Sequence, residues 1–315
     1  MKELLRTNDP VRLSFVEAML AAAGIDTVVL DEHTSVVEGS IGAIQRRIMV
    51  SERDHARARA TLAGADGGET APAISEGTLL GGRVHLKQPI EGYRVAIDPV
   101  FLAAAVPATG SERVIDIGAG VGAAALCLAA RVPEARITGI ERERDLVRLA
   151  SDNVSLNDFA SRVQMMAGDL LMPPPRLEPG TFDHAMANPP YLAAGTATPP
   201  GDPGRAAAHL ESEADLAAWI RFALIMLRPK GTLTLIHRAD RLDALLAELA
   251  GKLGEIVLFP LWPGAEKSAK RILIRARKGV ATPLRLAPGL LLHEADGRYT
   301  AAADRVLREG VGLDL

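Results

Sequence analysis

Four adjacent residues, Asn188-Pro189-Pro190-Tyr191, carry the strongest chemical signal in the chain. They follow Thr181-Phe182-Asp183-His184-Ala185-Met186, which reads as a short strand. Proline fixes φ and has no amide donor, so neither Pro189 nor Pro190 extends a central strand. The strand must stop there. It then presents the Asn188 side chain and the neighbouring carbonyls at its carboxyl end, where open α/β sheets hold their ligands.

A second signal lies upstream. Arg113-Val114-Ile115-Asp116-Ile117 reads as a buried strand, and Gly118-Ala119-Gly120-Val121-Gly122 as a turn leading into a helix over 123–130. Three glycines let a ligand approach the backbone closely. A dinucleotide fingerprint spaces its glycines G-x-G-x-x-G, whereas here the spacing is G-x-G-x-G with Asp116 just before it. A carboxylate at the loop suits an amino group or a sulfonium better than a pyrophosphate. That choice favours S-adenosylmethionine over a nicotinamide cofactor.

Three more acids fall at element ends. Glu141 closes the next strand, 136–141, about twenty residues after the glycine turn, where a carboxylate accepts hydrogen bonds from ribose hydroxyls. Asp169 follows a strand over 163–166 and is placed for an adenine amino group of the cofactor. Asp98-Pro99-Val100 opens a helix over 101–106, with Asp98 either as its N-cap or as a further cofactor contact.

These residues need a scaffold, and the chain supplies one. Its 315 residues, 48% hydrophobic and 24% charged, are those of a globular protein of more than one domain. A formal charge of −3 excludes a uniformly basic nucleic-acid wrapper, so RNA contact must come from local patches. The single cysteine, Cys127, excludes an intramolecular disulfide and any multi-thiolate metal site. No metal is expected, no apolar run reaches the length of a membrane span, and no signal peptide is visible, so the expected location is cytoplasmic. The sequence assigns no oligomeric state.

Residues 1–63 read βαββα, a small ferredoxin-like α+β domain. Its loop over 35–44 and the pair Glu32 and His33 read as connecting, solvated residues. Residues 64–78, rich in glycine, alanine and acids, read as a flexible linker. Residues 79–86 and 93–97 read as a small β-element. From Arg113 seven strands alternate with helices, the last two too close for a helical crossover and therefore antiparallel. The core domain spans 79–280, and 281–315 is a C-terminal extension. A loop over 192–209, dense in glycine and proline, reads as a lid or binding loop. Trp219 and Phe222 are expected in the core.

The glycine turn, Glu141, Gly168-Asp169 and Asn188-Pro189-Pro190-Tyr191 together resemble the class I methyltransferase family, whose seven-stranded Rossmann-like sheet has a reversed last strand. Within it, Lys87-Gln88-Pro89, the Asp98 helix and Arg205 before His209 resemble bacterial tRNA (adenine-N6)-methyltransferases acting beside the anticodon of a valine tRNA. The N-terminal domain is similar to a small bacterial domain described as signal-transducing. The resemblance implies S-adenosylmethionine as cofactor, held by Asp98, Asp116, Gly118, Gly120, Gly122, Glu141, Asp169 and Asn188, and tRNA as partner. It implies that Asn188 and the Pro189 carbonyl accept the two N–H bonds of an amino group, that Pro190 stiffens the turn, and that Tyr191 stacks on the base. A glutamine N5-methyltransferase of release factors uses the same four residues and is the nearest alternative. An RNA guanine or DNA adenine enzyme is another, and a regulatory binder with a degenerate catalytic half is a third. Lys270, Arg271, Arg275 and Arg277, with Arg205, are the expected RNA contacts. By parity the last three arginines of the strand share one face, unless the strand is a solvated edge.

Overall fold

The computed structural model describes residues 1–7, 10–30, 46–65, 73–90, 95–190 and 216–315, which fall into two compact units, Met1–Ala73 and Ile74–Leu315. Tyr191, Arg205, the loop over 192–209 and the 35–44 loop with Glu32 and His33 lie outside the described residues.

The first unit runs β1 (Lys2–Thr7), α1 (Pro10–Ala22), β2 (Thr27–Leu30), β3 (Arg46–Val50) and α2 (His55–Ala65). Strand β3 lies between β1 and β2 and is antiparallel to both, the split βαβ pattern of a ferredoxin-like fold. Leu13, Val16, Leu20, Ile25, Ile48, Val50 and Ala58 form its core. Helix α2 begins at His55, although Glu52, Arg53 and Asp54 are residues a helix accepts. Ser51 explains the delay: its hydroxyl accepts from the Asp54 amide at 3.1 Å and donates to the Asp54 carboxylate at 2.8 Å.

The second unit opens with a hairpin of β4 (Ile74–Leu79) and β5 (Val84–Pro89), joined by a 3-10 turn at Leu80–Gly82. This corrects the expected strand over 79–86. Gly81 and Gly82 take φ of +64° and +98°, so the chain reverses where an extended run was read. Nor does the second expected strand form, since Val95–Ile97 is irregular.

The main sheet follows: α3 (Asp98–Ala105), β6 (Arg113–Ile117), α4 (Ala123–Arg131), β7 (Arg136–Glu141), α5 (Arg144–Leu156), β8 (Val163–Ala167), β9 (Phe182–Ala187), α6 (Leu216–Met226), β10 (Leu227–Arg238), α7 (Leu242–Leu249), β11 (Leu253–Trp262) and β12 (Arg271–Lys278). Its path is β8-β7-β6-β9-β10-β12-β11, parallel except for β12, which is antiparallel to both β10 and β11. This is the expected seven-stranded sheet with a reversed last strand. Residues beyond Lys278 enlarge it: β13 (Arg285–Leu286) and β14 (Leu290–Leu291) each pair with β11. A short helix, α8 (Ala301–Asp304), runs on into a π-helical turn at Arg305–Glu309.

Two apolar layers flank the sheet. Val114, Ile137, Met186, Ile236 and Leu273 pack with α3, α4 and α5 on one face. Ile115, Ile117, Ile140, Leu235 and Ile274 pack with α6 and α7 on the other. Consecutive residues reach opposite layers, as the period of two demands, and burial on both faces explains why these strands read as continuous apolar runs. The chain enters the sheet at β6, builds β7 and β8 on one side, then crosses to β9 on the other. The β6–β9 junction is thus the topological switch point.

Candidate active site

At the switch point β6 and β9 run in register with Ile117 opposite Ala187, so Gly118 and Asn188 leave the sheet side by side. Gly118 has φ of +68°, and a Cβ there would stand 2.4 Å from Cη2 of Trp219. The indole of Trp219, on α6, lies directly on the turn. This tryptophan, expected in the core, is only partly buried and belongs to the site's wall.

The turn is fastened to the end of β7. The Gly120 amide donates to Oε2 of Glu141 at 2.9 Å, and Oε1 accepts from the Glu143 amide at 2.9 Å. The Gly168 amide donates to the Glu141 carbonyl at 2.9 Å, which joins the ends of β7 and β8. Asp169, half-buried, folds its Oδ1 back onto the Leu171 amide at 2.8 Å. The sequence-predicted Asp116, Gly118, Gly120, Gly122, Glu141, Asp169 and Asn188 thus all sit at the carboxyl ends of β6, β7, β8 and β9.

Two acceptor atoms in this group have no partner among the described residues. Asp116 is 2% exposed and its Oδ2 has no hydrogen-bond partner among the described residues; the same holds for the buried Oδ1 of Asn188. Burial pushes the Asp116 carboxyl up to about 7; a hydrogen bond from the Ala125 backbone pulls it down and the charge on Glu141 adds to the rise. A buried unsatisfied acceptor costs about 1–3 kcal/mol, and two of them at the strand ends that flank the glycine turn can accept from a ligand's N–H groups.

Asp98 stands elsewhere in this end of the sheet. Ile97 occupies the N-cap position of α3 without a side-chain cap, which corrects the capping reading. The buried Asp98 instead accepts from Nε of Arg271, at the start of β12, at 2.8 Å. Arg271, Arg275 and Arg277 do share one face, and β12 is an interior strand, so the edge reading is also corrected. They are engaged within the fold, Arg275 donating to the Leu315 main-chain oxygen and Arg277 pairing with Glu255 at 3.0 Å, which lowers what they offer a phosphate. Lys270 beside them is exposed.

Two supporting residues escaped the sequence reading. Asn153 on α5 is fully buried; its Oδ1 accepts from the Lys87 amide at 2.7 Å, and its Nδ2 donates to the carbonyls of Lys87 at 2.8 Å and Val121 at 3.0 Å. One turn on, Asn157 makes the same paired bonds to His85. The helix thereby clamps β5 and holds the glycine turn. Two asparagines four apart, one inside the helix where asparagine is a weak former and one capping its end, were the available signal. Among the described residues no group of three or more His, Cys, Asp or Glu could hold a metal, and no helix is long and apolar enough to cross a membrane.

Comparison with known proteins agrees with this geometry. Residues 95–200 match the "Methyltransferase small domain" model, and residues 1–66 match a model described as "Putative prokaryotic signal transducing protein". A tRNA1(Val) (adenine(37)-N6)-methyltransferase of Aeromonas hydrophila is 31% identical over 214 residues, covering 66% of this chain and 85% of that protein. The enzyme of the same name from Porphyromonas gingivalis strain W83 is 32% identical over 222 residues, covering 66% and 84%. A crystal structure of a "predicted O-methyltransferase" from Agrobacterium tumefaciens superposes with a TM-score of 0.58 at 26% identity, covering 69% of this chain and 98% of that one.

Proposed function

The chain belongs to the tRNA1(Val) (adenine(37)-N6)-methyltransferase family, an S-adenosylmethionine-dependent enzyme family, and we propose that it methylates the exocyclic N6 of an adenine in tRNA. The observation that carries this reading is the orphaned Oδ1 of Asn188 beside the glycine turn. An adenine amino nitrogen is a poor nucleophile because its lone pair is delocalised into the ring. Asn188 Oδ1 and the Pro189 carbonyl accept its two N–H bonds, turn the lone pair out of the ring plane and offset the positive charge growing on nitrogen. The proton is released to water afterwards. S-adenosylmethionine, when bound, supplies an electrophilic methyl group on a sulfonium.

The residues fit that cofactor. Asp116 offers a buried acceptor to a cationic group, and the αL glycines open the backbone. Glu141 keeps lone pairs for hydroxyl donors after serving Gly120 and Glu143. We assign Asp169 to the adenine end, and keep Asp98, paired with Arg271, as a further cofactor contact. Tyr191 stacks on the target base, worth ~1–3 kcal/mol. Lys270 and Arg205 contact RNA phosphates, helped by whatever charge Arg271, Arg275 and Arg277 retain. The base must be unpaired or flipped to enter, and a tRNA substrate places the enzyme in the cytoplasm.

The test is incubation of the protein with methyl-labelled S-adenosylmethionine and separate tRNA, rRNA and release-factor fractions. Label recovered as N6-methyladenine in tRNA is expected. Label confined to protein glutamine, or to another base, overturns the reading.

A further inference from the structure

The Asn188-Pro189-Pro190 turn has an anchoring problem. Two successive residues without amide donors cannot be tied to neighbouring strands through N–H groups, so the turn must be held through its carbonyls. A carbonyl buried at that point needs a donor.

His237 is in place to be that donor. It lies near the carboxyl end of β10, which is parallel to β9 with Leu235 opposite Ala187, so two residues on it stands level with the prolines. On its other side Ile272 of β12 pairs with it. The side chain is 0% exposed, and the backbone carbonyls of Pro190 and Arg238 lie near enough to raise the ring's affinity for a proton. We propose that His237 is a positioning residue for methyl transfer, whose ring N–H holds the Pro190 carbonyl and thereby fixes the Asn188-Pro189-Pro190 acceptors in place. This rests on the reading of Asn188 given under Proposed function.

The protonation of the ring agrees with that role. Burial pushes it down to about 4; the two carbonyls pull it up, and the charges of Arg241 and Arg271 push it down again. At neutral pH the imidazole therefore carries one N–H and no charge. An imidazolium this close would oppose the positive charge growing on the substrate amino group, so a neutral donor is the species the reaction tolerates.

The experiment compares wild type with His237→Leu, His237→Asn and His237→Gln. Steady-state kcat and KM are measured on tRNA, cofactor affinity by calorimetry and folding by thermal melting. Asparagine and glutamine place an amide donor near one or the other ring nitrogen. Expected is a loss of about tenfold in kcat for His237→Leu, the scale of one hydrogen bond, with KM and cofactor affinity within about twofold. One of the two amide variants should recover kcat to within about threefold of wild type while the other does not. Equal kcat in all three variants, or losses that merely follow melting temperature, overturns the proposal. If His237→Leu fails to fold, the contrast between the two amide variants decides alone, and its absence is fatal. Should the labelled-cofactor assay find protein rather than tRNA methylated, the reading of function falls, and the same three variants are then compared on that acceptor.

Discussion

The two ends of the parallel sheet handle buried polar groups in opposite ways. At the amino end the described polar side chains at Asp183 and His184 have partners on neighbouring elements. Asp183 accepts from the Arg113 amide at 2.7 Å and pairs with Arg228. His184 meets the Thr232 hydroxyl at 2.6 Å on one side and Glu112 at 3.5 Å on the other. At the carboxyl end, the same strands β6 and β9 finish in Asp116 and Asn188 with acceptor atoms buried and unmatched among the described residues. One end is built for stability. The other leaves acceptors without partners among the described residues, at a cost of about 1–3 kcal/mol each.

Substitutions can break that contrast. The largest effect is expected from Asn188→Ala, which should lower kcat by at least about a hundredfold, the scale of losing one preorganised acceptor. Calorimetric affinity for S-adenosylmethionine and the melting temperature should barely move. Full activity in this variant would remove Asn188 from the chemistry. Asp116→Asn comes next and tests a trade. In the folded protein this carboxyl titrates near 7, well above its ordinary 3.8, so the native state keeps a proton the unfolded chain has lost. Stability of the ligand-free protein must then fall as pH rises from about 4 to about 7, by up to about 4 kcal/mol, and level off above. The variant should lose that slope in melting curves taken across pH. It should also bind S-adenosylmethionine about tenfold more weakly, the cost of one ion-pair-scale contact.

The amino end should give the reverse result. Asp183→Ala is expected to cost about 1–3 kcal/mol in denaturant unfolding while kcat per folded molecule stays unchanged. A loss of kcat without loss of stability would erase the distinction between the ends. The smallest effect is optical. Trp219 lies on Gly118, whereas Trp262 bonds the Pro288 carbonyl. A change in tryptophan emission on cofactor binding should survive Trp262→Phe and vanish in Trp219→Phe. The opposite outcome would move the cofactor away from the glycine turn.

What could be read from residues alone was local backbone chemistry. Glycines that take positive φ at 118, 120 and 122, and prolines that stop β9 at 188, are written in residue type. So are apolar strands buried on both faces. The rest depends on partners far away in the chain. Asp98 and Arg271 are 173 residues apart, and nothing around either predicts the other. Trp219 looks like any core aromatic until it is seen lying on Gly118. Asn153 reaches back 66 residues to Lys87. Strands β13 and β14 are two residues each, too short for a period of two to register. The 79–86 stretch reads as extended because its apolar ends outweigh Gly81-Gly82 in the middle.

The placement of β12 has a consequence for biosynthesis. It is threaded between β10 and β11, both of which leave the ribosome before it. Until Arg271–Lys278 emerge, β10 presents its whole outer row of amides and carbonyls to any strand that passes, including its own neighbour β11 in a wrong pairing. A chain stalled short of residue 271 therefore holds a finished cofactor cleft beside an open seam, and should recruit chaperones or aggregate rather than wait idle.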